Sequence, residues 1–564
     1  MKTYPIRFAP DRQLFDSFAH DPSLIPVSFS LDGDDYRGFG SFALTGSEES
    51  TAKNGVVTRR LTFAIDKNLT AEVLLAYCPE FGELEYTVFF SNTGEERSRV
   101  LHDVRTVDLT VCGDDPVLDG IMGDHVNKYR PYRHALVSDP VEFTSLRGRP
   151  THEVFPYYDL EYGDGGVLMA LGWAGSWSAK FTASVTADGT LTRYTAVSGV
   201  GFEAFLLPGE TVRTALAVFL PYRGRNTDDA SNLWRRWFVK YNMPRADASG
   251  APIMPFTTAC LAGDTGLPNS DGSISERDFT WRRSLDRIYA EKVPLDFRWF
   301  DAGWYLDPRG ESVPSDWWGT VGTWELDREK WRGDSFCESV EYAHRHGTKT
   351  LVWFEPERVT DPENLEKNFG YKKEWGVACG NVTTNNLGNE ECLAWTAGRI
   401  IKFMRENHVD LYREDNNSNP FVCWQNADAH EEEIHGAPRR GITENHAVVG
   451  HYRLWDSIID YCRQNGGCTF VDSCAAGGGR NDIESMRRGV PLLRSDSDRT
   501  TTALRLSMTT AFNKWIPFCG ASSKESTREL APGCISDIYV FRASYLPALN
   551  LSIQWTQKPD VDYD

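Results

Sequence analysis

Hydrophobic and polar residues alternate in short runs along the first 225 residues, and turn signals separate these runs. The stretches 71–77 (Ala-Glu-Val-Leu-Leu-Ala-Tyr) and 84–90 (Leu-Glu-Tyr-Thr-Val-Phe-Phe) are two of them, and residues 32–34 and 92–94 are typical turns. Alternation with a period of two predicts β-strands that each bury one face. Many such strands with turns between them indicate a sandwich, so we predict an N-terminal β-sandwich over residues 1–225.

The pattern changes to helical over the next segment. Aromatic residues recur at helical spacing, as in the pair Trp234 and Phe238, which predicts an amphipathic helix. Pro244 ends this pattern, and residues 247–250 (Asp-Ala-Ser-Gly) have the composition of a linker. We therefore predict a helical connector over residues 226–250.

From residue 251 onward, short apolar runs alternate with amphipathic segments. Repeated β then α units predict a parallel sheet, and eight of them predict a (β/α)₈ TIM barrel over residues 251–564. A doubly wound sheet is the alternative, but no Gly-rich phosphate loop follows the first predicted strand. Few residues follow the eighth strand, so we expect the last barrel helix and a C-terminal β domain to be absent. The candidate strands are 255–262, 295–301, 349–355, 409–415, 468–473, 490–496, 516–521 and 549–555.

The bulk composition excludes several classes of partner. The 564 residues carry a formal net charge of −20, which disfavours nucleic acid, since phosphate binding needs clustered Lys and Arg. No run approaches the roughly 20 apolar residues that cross a bilayer, and no apolar segment follows the N-terminus, so we expect no membrane contact and a cytoplasmic location. The 12 Cys include no CxxC pair, so we expect neither a zinc site nor any other metal or cofactor. Oligomerisation is left open.

Carboxylates lie at or next to the carboxyl ends of five of the predicted barrel strands. They are Asp301, Glu355, Asp415, Asp472 and Asp496. Catalytic groups of a barrel lie at the carboxyl ends of its strands, and clustered carboxylates repel each other and lose solvation, so stability alone does not explain the series. Paired carboxylates suit glycoside hydrolysis, in which one attacks or stabilises the anomeric carbon and the other protonates the leaving oxygen.

The residues at these strand ends resemble the motifs of the α-galactosidase family known as glycoside hydrolase family 36. Residues 301–304 (Asp-Ala-Gly-Trp) are similar to its Asp-Asp-Gly-Trp motif, and residues 353–357 (Trp-Phe-Glu-Pro-Glu) match its next strand. Residues 413–415 (Arg-Glu-Asp) stand where the family has Lys-Trp-Asp. The stretch 473–480 (Ser-Cys-Ala-Ala-Gly-Gly-Gly-Arg) resembles its glycine-rich loop, and residues 495–496 match its Ser-Asp pair.

This resemblance implies a fold, a reaction and two catalytic residues. The fold is a (β/α)₈ barrel preceded by an all-β supersandwich domain. The activity is that of a retaining, exo-acting α-glycosidase, in the first place an α-galactosidase, on an α-linked galactoside or related oligosaccharide. Asp415 takes the role of the nucleophile that forms the glycosyl-enzyme, and Asp496 takes the role of the acid/base. Arg413 is the neighbour expected to keep Asp415 ionised.

The resemblance also implies a set of substrate-binding residues. Asp301 is expected to bind the 4- or 6-hydroxyl, and Arg413 the 3- and 4-hydroxyls. Trp324 is expected to line the sugar face, and Cys474 and Gly477 to lie near the 2-position. Trp304 and Trp353 either contact the sugar or pack against the strands, and Glu355 and Glu357 are expected to make hydrogen bonds that hold the barrel mouth together.

Two departures from the family pattern leave the sugar open. Ala302 replaces one hydroxyl-binding Asp, and Arg413 and Glu414 replace Lys and Trp; Arg presents a planar fork where Lys presents a point charge. Alternatives are an α-N-acetylgalactosaminidase or α-galactosaminidase, a transglycosylase on the same scaffold, and a non-catalytic sugar-binding protein.

Overall fold

The structure is a computed structural model, and it describes residues 5–137, 139–260, 277–313, 316–331, 334–380, 382–523, 539 and 542–551. The chain divides into two compact units. One comprises Met1–Asn242, Asn419–Val448 and Asp482–Ser485, and the other comprises Met243–Ser418, Val449–Asn481 and Met486–Asp564. The domain boundaries at residues 225 and 250 stay predictions.

Helices and strands alternate with loops through the described part of the chain. The helices there are α1 (Gln13–His20), α2 (Thr227–Trp237), α3 (Arg277–Ala290), α4 (Ser335–Arg345), α5 (Pro362–Phe369), α6 (Glu390–Glu406), α7 (Pro420–His435), α8 (Ile442–Asn465) and α9 (Thr502–Phe512). The strands there are β1 (Ser28–Leu31), β2 (Asp34–Arg37), β3 (Ala43–Thr51), β4 (Val57–Ala64), β5 (Leu69–Cys78), β6 (Glu83–Asn92), β7 (Leu101–Arg105), β8 (Val107–Gly113), β9 (Val117–Met122), β10 (Pro131–Ala135), β11 (Val141–Ser145), β12 (Val154–Tyr162), β13 (Gly165–Gly172), β14 (Trp177–Thr186), β15 (Gly189–Ser198), β16 (Glu203–Ala204), β17 (Thr211–Arg213), β18 (Leu216–Arg223), β19 (Phe256–Cys260), β20 (Phe297–Phe300), β21 (Lys349–Phe354), β22 (Arg358–Val359), β23 (Gly376–Cys379), β24 (Val382–Asn385), β25 (Leu411–Glu414), β26 (Arg439–Arg440), β27 (Val471–Ser473), β28 (Gly489–Val490), β29 (Gly520–Ser522) and β30 (Ala548–Asn550).

The first unit is built from antiparallel sheets. The largest sheet follows the order β10-β9-β12-β13-β18-β6-β5-β4-β3, and smaller sheets follow the orders β11-β14-β15-β8 and β2-β1-β7-β16-β26. In β4 the side chains of Val57, Arg59, Leu61 and Phe63 are buried, and they alternate with the more exposed residues 58, 60 and 62. This alternation places one face of the strand on the hydrophobic core. The all-β character predicted for the N-terminal region is therefore confirmed.

The second unit contains a parallel sheet whose strands follow the order β28-β27-β25-β21-β20-β19-β30-β29. Two backbone hydrogen bonds join the ends of this order: the Gly520 N–H donates to Pro491 O at 2.8 Å, and the Arg494 N–H donates to Gly520 O at 3.1 Å. The eight strands therefore curl into a ring. A smaller antiparallel sheet, β22-β24-β23, follows β21.

The ring confirms the predicted (β/α)₈ fold, and each of its strands overlaps one predicted strand. The parts of two predicted strands at 261–262 and 552–555 lie outside the described residues, as do the chain positions where an eighth helix would follow. The strand predicted over 490–496 is assigned only as far as Val490. The reason is Pro491, which has no N–H to donate to a neighbouring strand.

None of the described helices is both long enough and apolar enough to cross a membrane.

Candidate active site

Asp415 follows β25 directly and is held by four hydrogen bonds. Its Oδ1 accepts the backbone N–H of Ala476 at 2.9 Å and that of Asn416 at 2.8 Å. Its Oδ2 accepts the side-chain N–H of Asn417 at 3.0 Å and the indole N–H of Trp353 at 3.2 Å. A carboxylate that accepts this many donors is favoured in its charged form.

Arg413 supplies the positive charge beside Asp415. Its guanidinium is buried, donates to Asp472 at 2.6 Å and lies 4.1 Å from the centroid of the Trp299 ring. Burial by itself would raise the pKa of Asp415, but the charge of Arg413 and the hydrogen bonds from Ala476, Asn417 and Trp353 bring that pKa below its ordinary value. Asp415 is therefore ionised at neutral pH, which a nucleophile requires.

Asp301 lies at the end of β20 and has a different environment. Its Oδ1 accepts the backbone N–H of Ala302 at 2.9 Å. Burial raises the pKa of Asp301, and the charges of Arg413 and Arg499 only partly oppose this rise, while the nearby Asp415 adds to it. Asp301 and Asp415 follow the carboxyl ends of parallel strands of the same ring, and the effect of Arg413 and Asp415 on the pKa of Asp301 agrees with this closeness.

The glycine-rich loop after β27 lies against the end of β25. The Cys474 N–H donates to Glu414 O at 2.9 Å. Ala476 and Gly477 have φ values of +46° and +85°, a region of backbone conformation in which glycine is not strained. This turn directs the Ala476 N–H to Asp415. The Cys474 thiol is buried, and its pKa is raised by burial and by nearby Asp415 and Asp496, with Arg413 opposing the rise.

Asp496 is exposed at the start of a short 3₁₀ turn, Asp496–Arg499. It forms an ion pair with Arg499 at 3.3 Å. The turn is anchored by the buried Asp498, whose carboxylate accepts from Arg494 at 2.9 Å. Asp415 and Asp496 both contribute to the raised pKa of the Cys474 thiol, and their pairing across one pocket stays a prediction. Asp415 is the better fixed of the two.

The three predicted tryptophans are buried. Trp304 is 0% exposed, Trp324 2% and Trp353 1%. Trp304 donates to Trp353 O at 3.0 Å and packs on Phe403 with ring centroids 4.0 Å apart. Their burial shows that all three pack within the protein; their contact with a sugar stays a prediction. An aromatic residue that the sequence analysis did not select, Trp318, is 44% exposed and lies beneath the Arg358 guanidinium.

Glu355 and Glu357 hold the loop after β25, as predicted from the sequence. Glu355 accepts the Asn417 N–H at 2.6 Å and pairs with Arg358 at 2.6 Å. Glu357 accepts from the side chain of Asn416. The sequence analysis missed Asn416 and Asn417. Two consecutive asparagines close to the end of a buried strand are a signal of local hydrogen bonding.

Glu414 belongs to a separate buried network. It accepts from Tyr412 Oη at 2.7 Å, Trp455 Nε1 at 2.6 Å and Arg480 Nη1 at 3.0 Å, and His451 Nδ1 lies 3.2 Å away. Successive residues of a strand point to opposite sides, so Glu414 faces away from the side that carries Arg413 and Asp415. This departure from the family's Lys-Trp-Asp motif therefore concerns packing behind the strand.

Donor atoms of Glu357, Glu414 and His451 lie within 4.8 Å of one another, as a metal site would require. Arg480 already supplies a positive charge there, since its Nη1 lies 2.7 Å from Glu357 and 3.0 Å from Glu414. The guanidinium offsets one of the two carboxylate charges and occupies the space between them. A cation in addition to Arg480 would meet its repulsion, so the network fits a metal poorly.

Comparisons with known proteins agree with the motifs. Residues 281–521 match the family model Melibiase. The chain is 21% identical to α-galactosidase Mel36A of Lactobacillus acidophilus over 435 residues, which is 74% of this chain and 54% of that protein. It is 21% identical to an α-galactosidase of Escherichia coli over 397 residues, 67% of this chain and 49% of that protein. The chain thus spans about half the length of the curated relatives that it matches.

Solved structures show the same fold. The galactosidase domain of the α-galactosidase-sucrose kinase AgaSK superposes with a TM-score of 0.72 at 14% identity, covering 95% of this chain and 72% of that one. A variant of the GH36 α-galactosidase AgaA from Geobacillus stearothermophilus, in complex with raffinose, gives a TM-score of 0.72 at 16% identity, covering 95% and 73%. The resemblance to glycoside hydrolase family 36 that the motifs indicated is confirmed.

Proposed function

We propose that this chain, a GH36 α-galactosidase-like protein, is a retaining exo-acting α-glycosidase with α-galactosidase activity. One observation carries the proposal: Asp415, at the end of a barrel strand, accepts four hydrogen bonds beside the buried Arg413. An ionised carboxylate in a fixed position is what attack on an anomeric carbon requires. The Melibiase match over residues 281–521 includes this strand.

The proposed reaction has two displacements. Asp415 Oδ attacks the anomeric carbon while the glycosidic bond breaks, and Asp496 gives its proton to the leaving oxygen. This step forms a glycosyl-enzyme with inverted anomeric configuration. Asp496, now a carboxylate, then takes a proton from water, whose oxygen attacks the same carbon and releases Asp415. Two inversions return the α configuration, so the reaction proceeds with retention.

The substrate-binding roles are proposals of the same kind. Asp301 accepts sugar hydroxyls, Arg413 donates to neighbouring hydroxyls, and Cys474 and Gly477 lie near the 2-position. Trp353 acts through its indole N–H, which donates to Asp415 at 3.2 Å. For Trp304 and Trp324, whose side chains are buried, we propose that they support Trp353, on which both pack; contact of Trp324 with the sugar face is the alternative. The substrate is an α-galactoside oligosaccharide, the class to which the raffinose bound by AgaA belongs.

Replacement of Asp415 by glycine tests the assignment. Asp415→Gly should be inactive on an aryl α-galactoside, and added azide should restore release of the aglycone by attacking the anomeric carbon in place of the carboxylate. The product should be a β-galactosyl azide, identified by nuclear magnetic resonance. Asp301→Gly is the matched control and should form no glycosyl azide. If azide gives no such product with Asp415→Gly, or gives it with Asp301→Gly, the assignment of the nucleophile is wrong.

Ala302 favours a second candidate for the sugar. An Asp at this position would provide a further acceptor for a hydroxyl, so specificity for a 2-amino or 2-acetamido galactoside is the alternative. A panel of chromogenic α-glycosides of galactose, N-acetylgalactosamine, galactosamine, glucose and arabinose separates the two by kcat/KM. Product analysis with excess acceptor sugar separates hydrolysis from transglycosylation.

For the cellular location we propose the cytoplasm. The support is that the eleven cysteines in the described residues are free thiols, a state that a reducing compartment maintains.

A further inference from the structure

A second group of potential metal ligands lies on α4, apart from the strand ends. Cys337 and Glu341 are four residues apart, so they lie on the same face of the helix. Cys337 Sγ and Glu341 Oε1 are 4.0 Å apart. Cys337 is half-buried and Glu341 is exposed.

His408 completes this group from the segment that follows α6. Donor atoms of Cys337, Glu341 and His408 all lie within 4.8 Å of one another. A thiolate, an imidazole and a carboxylate are the three kinds of side chain that bind zinc in proteins.

The backbone at His408 is unusual for a histidine. Its φ is +52°, and the Val409 N–H donates to Met404 O at 2.9 Å. This is the hydrogen bond of a Schellman C-cap, in which glycine is the preferred residue at the left-handed position. Here a histidine holds that position and contributes its ring to the group on α4.

A cavity of about 320 Å³ adjoins the group. Four further carboxylates line it with Cys337 and Glu341, and so do two basic residues, Arg328 and Lys402. Lys402 lies 3.5 Å from Glu325 and Arg328 lies 3.6 Å from Asp334, so the carboxylates outnumber the basic groups and favour a cation electrostatically. Trp324 also lines the cavity, and the buried indole N–H of Trp324 has no hydrogen-bond partner among the described residues.

The buried triad behind β25 provides the contrast. There Arg480 lies between Glu357 and Glu414, whereas among the described residues no Lys or Arg is recorded in an ion pair with Glu341. Of the two groups of potential ligands, the one on α4 is therefore better suited to bind a cation.

We propose that Cys337 Sγ, a Glu341 carboxylate oxygen and a His408 ring nitrogen bind one Zn²⁺, with the fourth position facing the cavity. Binding releases the thiol proton to solvent, so one thiolate and one carboxylate balance the two charges of the ion. The sulfur and nitrogen ligands select zinc over magnesium or calcium. Tetrahedral bonds of about 2.0–2.3 Å bring the ligand atoms to about 3.3–3.8 Å from one another, and the exposed side chains of Glu341 and His408 have room for this movement.

The test uses the full chain, freed of metal with a chelator. Titration with Zn²⁺ in a calorimeter should give one site per chain, and Co²⁺ in its place should give the absorption band of a thiolate ligand. Cys337→Ser should abolish the cobalt band and weaken Zn²⁺ binding by at least about tenfold. Cys379→Ser, at another half-buried cysteine, is the control and should bind as the parent does.

His408→Gly removes a ligand without a cost to the fold, because glycine suits the C-cap position. We expect an unchanged or higher Tm without metal, loss of the Tm increase on adding Zn²⁺, and faster alkylation of Cys337 than in the zinc-loaded parent. The surface variant His430→Gln is its control. Zinc binding that is unaffected by Cys337→Ser and His408→Gly, or a cobalt complex without a thiolate band, overturns the proposal. Neither readout depends on glycosidase activity.

Discussion

The ends of β20 and β25 each present an aspartate to the same arginine, yet the two carboxyl groups differ in state. The charge of Arg413 lowers the pKa of both Asp301 and Asp415. Asp415 nevertheless has a pKa below its ordinary value, and Asp301 has one above it. Burial raises the pKa of both groups, and the two differ in their hydrogen bonds: four donors reach Asp415, whereas one, the Ala302 N–H, is recorded for Asp301 in the described residues. The charge of Asp415 also raises the pKa of Asp301.

The comparison shows how one site assigns different tasks to similar groups. Donors from the glycine-rich loop, from Asn417 and from Trp353 prepare Asp415 to act as an anion. Asp301 keeps more of its accepting capacity for a ligand. Groups whose environments drive their pKa values apart are typical of acid–base and nucleophilic sites.

The largest expected effect follows from removing the charge at each position in turn. Asp415→Asn should lower kcat by about 10⁴-fold, since Asp415 is the proposed nucleophile and an amide does not form the covalent intermediate. Asp301→Asn should lower kcat/KM by only about 10- to 150-fold, the loss of one charged hydrogen bond of about 1.5–3 kcal/mol. Steady-state kinetics on an aryl α-galactoside measure both. Equal losses in the two variants would show that Asp415 and Asp301 do not have different roles.

A smaller effect is expected from removing the shared arginine. Arg413→Met leaves Asp472 buried without its partner, and the free energy of unfolding should fall by about 3–5 kcal/mol. The acid limb of the pH profile of kcat/KM should also move to higher pH, because the pKa of Asp415 rises when the positive charge is lost. Urea unfolding and pH–rate profiles measure these changes, and Arg413→Lys, which keeps the charge, is the control. A variant as stable as the parent would contradict the role of the Arg413–Asp472 pair.

The smallest effect concerns a single donor. Asn417→Ala removes one hydrogen bond to the ionised form of Asp415, worth about 1.5–3 kcal/mol. Loss of a donor to the charged form raises the pKa of Asp415, so activity should fail at a higher pH on the acid side, by about 1–2 pH units. Asn419→Ala, at an exposed position two residues further on, should leave the limb in place. An unshifted limb in Asn417→Ala would show that this donor does not set the pKa.

The strands could be predicted because a parallel strand buried on both faces is an apolar run, and a polar cluster after it marks its carboxyl end. The grouping of Asp301, Arg413 and Asp415 followed from this rule. The backbone donor of Ala476 could not be predicted, because it depends on the turn at Gly477. Whether Trp324 faces a ligand or the core could not be predicted either, since an aromatic residue suits both places. The direction of the Glu414 side chain, opposite to that of Arg413 and Asp415, could have been predicted from the alternation of side chains along a strand.

The closure of the ring has a consequence for the second carboxylate. Gly520, the first residue of β29, makes the backbone hydrogen bonds that join this strand to the segment after β28. A Cβ atom placed on Gly520 would lie 1.8 Å from Leu492 O. There is therefore no room for a side chain at Gly520. In a Gly520→Ala variant, Leu492 and the residues after it would have to move away from β29. Asp496 lies four residues beyond Leu492, so a single methyl group at Gly520 is expected to displace the proposed proton donor more than the proposed nucleophile, Asp415.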